Sequence, residues 1–157
     1  AVEEIRIPGR FEVLGKAPAV VLDVAHNPEA VARLSDVLEA EFPGRRRQII
    51  FASLSDKDWK SMIRILAGPD TEIIAVRIAH PHGVPQDLPA AAAAAYGPAV
   101  AFDSSHEGLA YARDRAAPED VLVVTGSFYL VSELRRDCQR FCENGRTGKR
   151  NPGETLK

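Results

Sequence analysis

Cysteine is nearly missing from this chain: Cys138 and Cys142, one helical turn apart near its end, are the only two. That excludes a disulfide-stapled scaffold and a cysteine-rich zinc site, and two packed thiols are expected instead. No apolar run is long enough to cross a bilayer, and no basic and apolar leader opens the sequence, so a cytoplasmic protein is expected. Neither sign of charge is in excess. Twenty Lys and Arg face 22 Asp and Glu, a formal charge of -2, too near neutrality to make nucleic acid or a membrane surface the obligatory partner. His80-Pro81-His82 has no third ligand nearby, which leaves two solvated histidines rather than a zinc site. Two phosphate-binding signatures are also missing, Gly-x-Gly-x-x-Gly and Gly-x-x-x-x-Gly-Lys-Ser/Thr. The chain begins at Ala1 and runs directly into strand-like sequence, which suggests part of a longer polypeptide.

What is present is an alternation of short apolar runs with segments of helical period, the pattern of an α/β domain with a mostly parallel sheet. The strands predicted are Phe11 to Leu14, Ala19 to Val24, Gln48 to Ala52, Glu72 to Val76, Val100 to Phe102 and Val121 to Thr125. The later ones are rich in Val and Ile, as strands buried on both faces are. Asn27-Pro28-Glu29 reads as cap, first turn and dipole complement of a helix facing the core with Val31, Leu34, Val37 or Leu38, and Phe42. A second helix should be capped at Ser55, with Asp58 three residues on, and bury Trp59, Met62, Ile63 and Leu66. The alanines from Ala90 to Ala95 favour a short packed helix between Pro89 and Tyr96. Ser104 to Glu107 forms a capping box for a helix through Arg115, and Gly126-Ser127 opens a last helix carrying Leu130, Val131, Leu134, Cys138 and Phe141. Arg45-Arg46-Arg47 precedes a strand, so it is expected as a solvated run on the edge opposite any ligand.

In a parallel sheet the turns from strand end to helix start collect on one edge, and ligands bind there. Three turns qualify: Asp23 to Pro28, Ser53 to Asp58, and Thr125 to Phe128. In the first, an acid, an imidazole and an amide stand at the positive end of a helix, a place that suits an anion. Asp23 there can accept from ribose hydroxyls while His26 faces phosphate oxygens. On the residues alone, an equally good account makes Asn27 a cap, Asp23 a turn tether and His26 a solvated side chain.

The strings Pro8-Gly9-Arg10-Phe11-Glu12-Val13 and Val20-Val21-Leu22-Asp23-Val24-Ala25-His26-Asn27-Pro28-Glu29-Ala30 resemble the start of the C-terminal domain of folylpolyglutamate and dihydrofolate synthases, relatives of the Mur ligases. Ser55-Asp56-Lys57-Asp58 is similar to that family's Asp-Lys-Asp turn, and Val124 to Val131 to its final strand-to-helix motif. The matches run in order from Ile7 to about Arg136. One position departs: Val24 stands where the family has Gly, which bears on how closely a ligand can approach that backbone.

The resemblance implies a Rossmann-like three-layer α/β domain over residues 1–143, with residues 144–157 as a disordered tail. It implies ATP-dependent ligation, in which a folate or dihydropteroate carboxylate is phosphorylated and the amine of glutamate attacks the acyl phosphate. Arg10 and His26 would then be catalytic. Arg10, Asp23 and His26 would contact the nucleotide, while Asn27, Lys57 and Ser127 are candidates for substrate contacts. ATP and magnesium would be held mainly by an N-terminal P-loop domain of the same polypeptide, so no metal ligand is assigned within this chain, and the chain alone should be inactive. Two other functions stay in view: a cell-wall peptide ligase of the same superfamily, and a non-catalytic nucleotide-binding module.

Overall fold

The computed structural model describes residues 9–146, with side chains through Asn144. Residues 1–8, including Pro8 of the first motif, and tail residues 147–157 lie outside the described part. All six predicted strands form: β1 (Glu12–Leu14), β2 (Ala19–Leu22), β3 (Arg47–Phe51), β4 (Thr71–Val76), β5 (Ala99–Phe102) and β6 (Val121–Thr125). They make one sheet in the order β1-β2-β6-β3-β4-β5, parallel throughout except for β1, which runs antiparallel to β2. The fold is the expected Rossmann-like α/β domain.

Register and alternation divide the core in two. Val21, Val123, Ile49 and Ile73 lie side by side across the sheet and point to one face. There α1 (Pro28–Glu41) buries Val31, Leu34 and Leu38, α2 (Trp59–Leu66) buries Met62, Ile63 and Leu66, and α3 (Asp87–Ala94) buries Ala93. The alternate residues Leu22, Val124, Ile50 and Ile74 face α4 (Ser105–Arg115) and α5 (Phe128–Arg146), where Leu109, Leu130, Leu134 and Cys138 close the second layer. Burying one such Leu or Ile contributes about 2 kcal/mol, so the two layers hold the sheet from both sides. Burial, then Cys142 and Asp137 close by, pushes the Cys138 thiol up to about 12, which makes it an inert packing group.

Local sequence explains most helix starts. Asn27 accepts from the Ala30 N–H at 2.8 Å and Ser104 from the Glu107 N–H at 3.1 Å, each cap contributing about 1 kcal/mol. Several expectations need correction. Asp58, not Ser55, caps α2, accepting from the Ser61 N–H at 3.2 Å, since the chain around Ser55 pairs with loop 82–84, the Ser55 N–H donating to the His82 carbonyl at 2.8 Å, and the helix starts only at Trp59. Of the two alternatives Val37 and Leu38, Leu38 is the one that faces the core, as expected of one of them. The alanine helix starts at Asp87, since Pro89 in a first turn forfeits an N–H that would have no partner anyway. Helix α5 continues to Arg146, so the boundary expected at residue 143 falls inside it. The arginine run is tied down by partners rather than simply solvated. Arg46 pairs with the buried Asp120 at 2.9 Å, Arg47 with Glu39 at 2.8 Å, and Arg45 donates to the Glu119 carbonyl at 2.6 Å.

Strand order places the site. From β3 the chain moves outward through β4 to β5 with α2 and α3 on one face, then returns by α4 on the other to insert β6 between β2 and β3. After β6 the chain turns to α5, whereas after its neighbours β2 and β3 it turns to α1 and α2 on the opposite face. A crevice opens at that reversal, above the carboxyl end of β6.

Candidate functional site

The three turns singled out in the sequence meet at this crevice. Gly126 is wedged between the other two: its N–H donates to the Ala25 carbonyl at 3.0 Å, and a Cβ there would stand 2.3 Å from the Ala52 oxygen and 2.8 Å from the Phe51 ring. With φ at 107°, the position requires glycine twice over. Ser127 follows, buried, its Oγ accepting from the Tyr129 N–H at 3.1 Å at the head of α5. The result is a cleft of about 170 Å³ lined by His26, Leu54, Lys57, Gly126, Ser127, Phe128 and Tyr129.

His26, Lys57 and Ser127 therefore converge, one from each turn. His26 is exposed, with Nδ1 3.2 Å from the Val24 carbonyl, and when that nitrogen carries the proton Nε2 is left free to accept. The nearest carboxylate to Lys57 is its neighbour Asp56, at 4.0 Å, so the ammonium is barely compensated. A cation, a hydroxyl and an imidazole in one small cleft suit a carboxylate or phosphate ligand.

Asp23 and Arg10 lie beside the cleft rather than in its lining. Asp23 is a tether here: its two oxygens accept from the Ala25 N–H at 2.8 Å and the Phe11 N–H at 3.0 Å. Each oxygen keeps a second lone pair, so the carboxylate can still take a hydroxyl donor. Burial raises the Asp23 pKa, against the lowering effect of those two N–H groups and of nearby Arg10. Arg10 is exposed and makes no ion pair among the described residues. It sits between Gly9 at φ 77° and Phe11 at φ 42°, and the second angle costs a side-chain-bearing residue roughly 1 kcal/mol. Asn27 is a helix cap, with its side-chain oxygen committed to Ala30.

Val24, the departure from the motif, packs inward against the layer under α5, and its N–H donates to the Gly9 carbonyl at 2.7 Å. Its Cγ1 lies 2.9 Å from where a Gly9 Cβ would be, so its bulk is taken up beneath Arg10 and leaves the cleft alone.

Sequence reasoning passed over the cleft's aromatic lip. Phe128 is 64% exposed and Tyr129 43% exposed, and the His80 ring lies 4.5 Å from that of Tyr129. His80 is thus half-buried rather than solvated, held by the pairing of loop 82–84 with 53–55. The available signal was two large aromatic residues at a helix start, where core packing has no use for them.

Residues 9–128 match the family described as Mur ligase, glutamate ligase domain. The chain is similar to a probable bifunctional folylpolyglutamate synthase/dihydropteroate synthase of Haloferax volcanii, 36% identical over 82% of this chain and 15% of that protein. It is also similar to the dihydrofolate synthase/folylpolyglutamate synthase of Bacillus subtilis, 29% identical over 82% of this chain and 30% of the relative. Among solved structures, the bifunctional folylpolyglutamate synthase/dihydrofolate synthase of Yersinia pestis complexed with AMPPNP and Mn superposes with a TM-score of 0.77 at 29% identity, covering 87% of this chain and 32% of that one. The chain spans a third or less of the length of each of these proteins.

Proposed function

The chain belongs to the family of Mur ligase glutamate ligase domains, and from that membership we propose that it is the C-terminal domain of an ATP-dependent ligase joining glutamate to a folate or dihydropteroate carboxylate. The observation that carries this reading is the cleft in which His26, Lys57 and Ser127 meet, with Arg10 and Asp23 beside it at the carboxyl edge of a parallel sheet. In the reaction, the acceptor carboxylate takes the γ-phosphoryl group of ATP. The glutamate amine attacks the resulting acyl phosphate, and phosphate leaves as the amide forms. Lys57 and the Ser127 hydroxyl hold a carboxylate of the incoming glutamate, which orients its amine. His26 faces the phosphoryl group, Arg10 offsets the charge spread over its oxygens, and Asp23 accepts from the ribose.

Magnesium, which the family implies, is assigned no ligand within this chain. Among the described residues, no group of three or more His, Cys, Asp or Glu is placed to hold a metal ion. By that same family membership we assign the metal and the phosphate-binding loop to an N-terminal domain of the same polypeptide, and catalysis then requires the two to close together. We assign residues 1–143 to the glutamate ligase domain, with α5 carrying it on to Arg146, and the enzyme to the cytoplasm. No helix among the described residues is long and apolar enough to cross a membrane.

The test is glutamate addition by the intact enzyme with ATP and either dihydropteroate or tetrahydrofolate. Phosphate should appear in step with glutamate addition, and His26→Ala and Arg10→Ala should each lose roughly a hundredfold or more in kcat while remaining folded. Inert folates together with turnover of a cell-wall peptide precursor would move the chain to the other branch of the superfamily.

A further inference from the structure

We propose that Glu12 and Arg135 are positioning residues for Arg10, holding its backbone at the ligand edge through a bridge to helix α5. The inference rests on the phosphate-facing role given to Arg10 above. Arg10 itself is exposed, yet the backbone around it is fastened on every side. The Gly9 N–H donates to Glu12 Oε2 at 3.1 Å, the Gly9 carbonyl accepts from the Val24 N–H at 2.7 Å, and the Phe11 N–H donates to Asp23 Oδ2 at 3.0 Å. Glu12 is the keystone. Its side chain is only 12% exposed, and its second oxygen, Oε1, accepts from Arg135 Nη2 at 2.8 Å across 123 positions of sequence. One carboxylate thus ties the turn that carries Arg10 to the helix that starts at Phe128, just after Ser127, at the cleft. Val24 packs under Gly9 with its Cγ1 2.9 Å from where a Cβ would stand, so a larger residue at position 9 would force a shift.

Positive φ angles on both sides of Arg10 show what this fastening achieves. A backbone in that conformation persists only where its surroundings over-determine it, and such over-determination is found where a side chain must start from a fixed point. A guanidinium that stabilises charge during phosphoryl transfer gains from a fixed anchor, since a misplacement of about 1 Å can cost on the order of a hundredfold in rate. A merely structural ion pair would instead support the fold wherever it sat.

The experiment is steady-state kinetics of the intact enzyme with Glu12→Gln and Arg135→Gln, each alone and each combined with Arg10→Ala. Glu12→Gln keeps the shape of the side chain, but the amide that replaces the carboxylate can no longer accept from both partners. Each single substitution is expected to lower kcat roughly tenfold while leaving KM for glutamate within about twofold. In the Arg10→Ala background neither should lower kcat further, because the group they serve is gone. Equal losses with and without Arg10 would mean that the pair acts through the fold, and unchanged kcat in the single variants would mean that Arg10 needs no support; either result overturns the inference. Wild-type kcat in Arg10→Ala alone would instead remove the phosphate role of Arg10, and the inference with it. Should Arg135→Gln not fold, Glu12→Gln decides by the same comparison.

Discussion

The two edges of the sheet use the same residue types in opposite ways. At the edge where the parallel strands begin, charge is consumed by structure: Arg46 meets the buried Asp120, Arg47 meets Glu39, and Arg115 lies 3.7 Å from Glu72 with its guanidinium over the Tyr111 ring. At the edge where they end, Arg10 is unpaired among the described residues, Lys57 is barely compensated, and Phe128 and Tyr129 lie open. The backbone reverses the comparison. Gly126, Gly9 and the Asp23 tether lock the ligand edge atom by atom, while Arg10, Lys57, Phe128 and Tyr129 are left unspent. A site for a ligand is rigid backbone presenting uncommitted side chains, and a structural edge is the converse.

The sharpest way to break that contrast is Gly126→Ala. The added methyl would meet the Ala52 oxygen and the Phe51 ring at a φ that L-residues rarely adopt. A loss of about 3 kcal/mol is expected, read as a lower urea midpoint at unchanged slope. A stability within about 0.5 kcal/mol of the parent would show that the ligand edge is less tightly wedged than its geometry implies.

A second comparison pairs one charge from each edge. Asp120→Ala removes the acceptor for Arg46 and also for the Ala117 N–H at 2.9 Å. Arg46 is 44% exposed and can turn to water, so the expected cost is moderated to about 2 kcal/mol. Lys57→Ala, at the other edge, should change stability by less than about 0.5 kcal/mol while raising KM for glutamate in the intact enzyme. Chemical denaturation of both variants checks the pair. Equal destabilisation would erase the distinction between structural and available charge.

How far the sequence revealed this follows from the same contrast. Strands and helix starts were legible because period, caps and Val/Ile runs are local: all six strands and the caps at Asn27 and Ser104 fall where expected. The meeting of the three turns was legible from topology, since parallel strands bring their ends to one edge. What could not be read was how individual groups are spent. Nothing local says that the chain around Ser55 pairs with loop 82–84, so that α2 starts at Trp59 under an Asp58 cap. Nor does it say that Arg46 finds Asp120, 74 positions away, or that Glu12 finds Arg135. Such pairings depend on register between distant segments, which periodicity does not encode.

The smallest effect tests the two edges' logic within a single residue type. Asp23 and Asp58 both accept hydrogen bonds from backbone N–H groups, yet their pKa values move in opposite directions from the ordinary 3.8. Burial dominates at Asp23 and raises it, while the bonds from Ser61 dominate at fully exposed Asp58 and lower it. The signs follow by linkage. The contribution of Asp23 to stability is complete below 3.8 and is lost as pH rises through its raised folded value, so its ionised form is held at a cost near neutrality. The contribution of Asp58 is complete above 3.8 and is lost as pH falls through its depressed folded value. Carboxyl carbon NMR titration of this chain should therefore resolve the two midpoints on either side of 3.8. If Asp23 titrated at or below that value, its two N–H bonds would outweigh burial, and a nucleotide hydroxyl would have no ionisation cost to relieve. If it titrates above, a hydroxyl donor from bound nucleotide would relieve part of the cost of ionisation, and the Asp23 midpoint should fall when nucleotide is added to the intact enzyme while that of Asp58 stays in place.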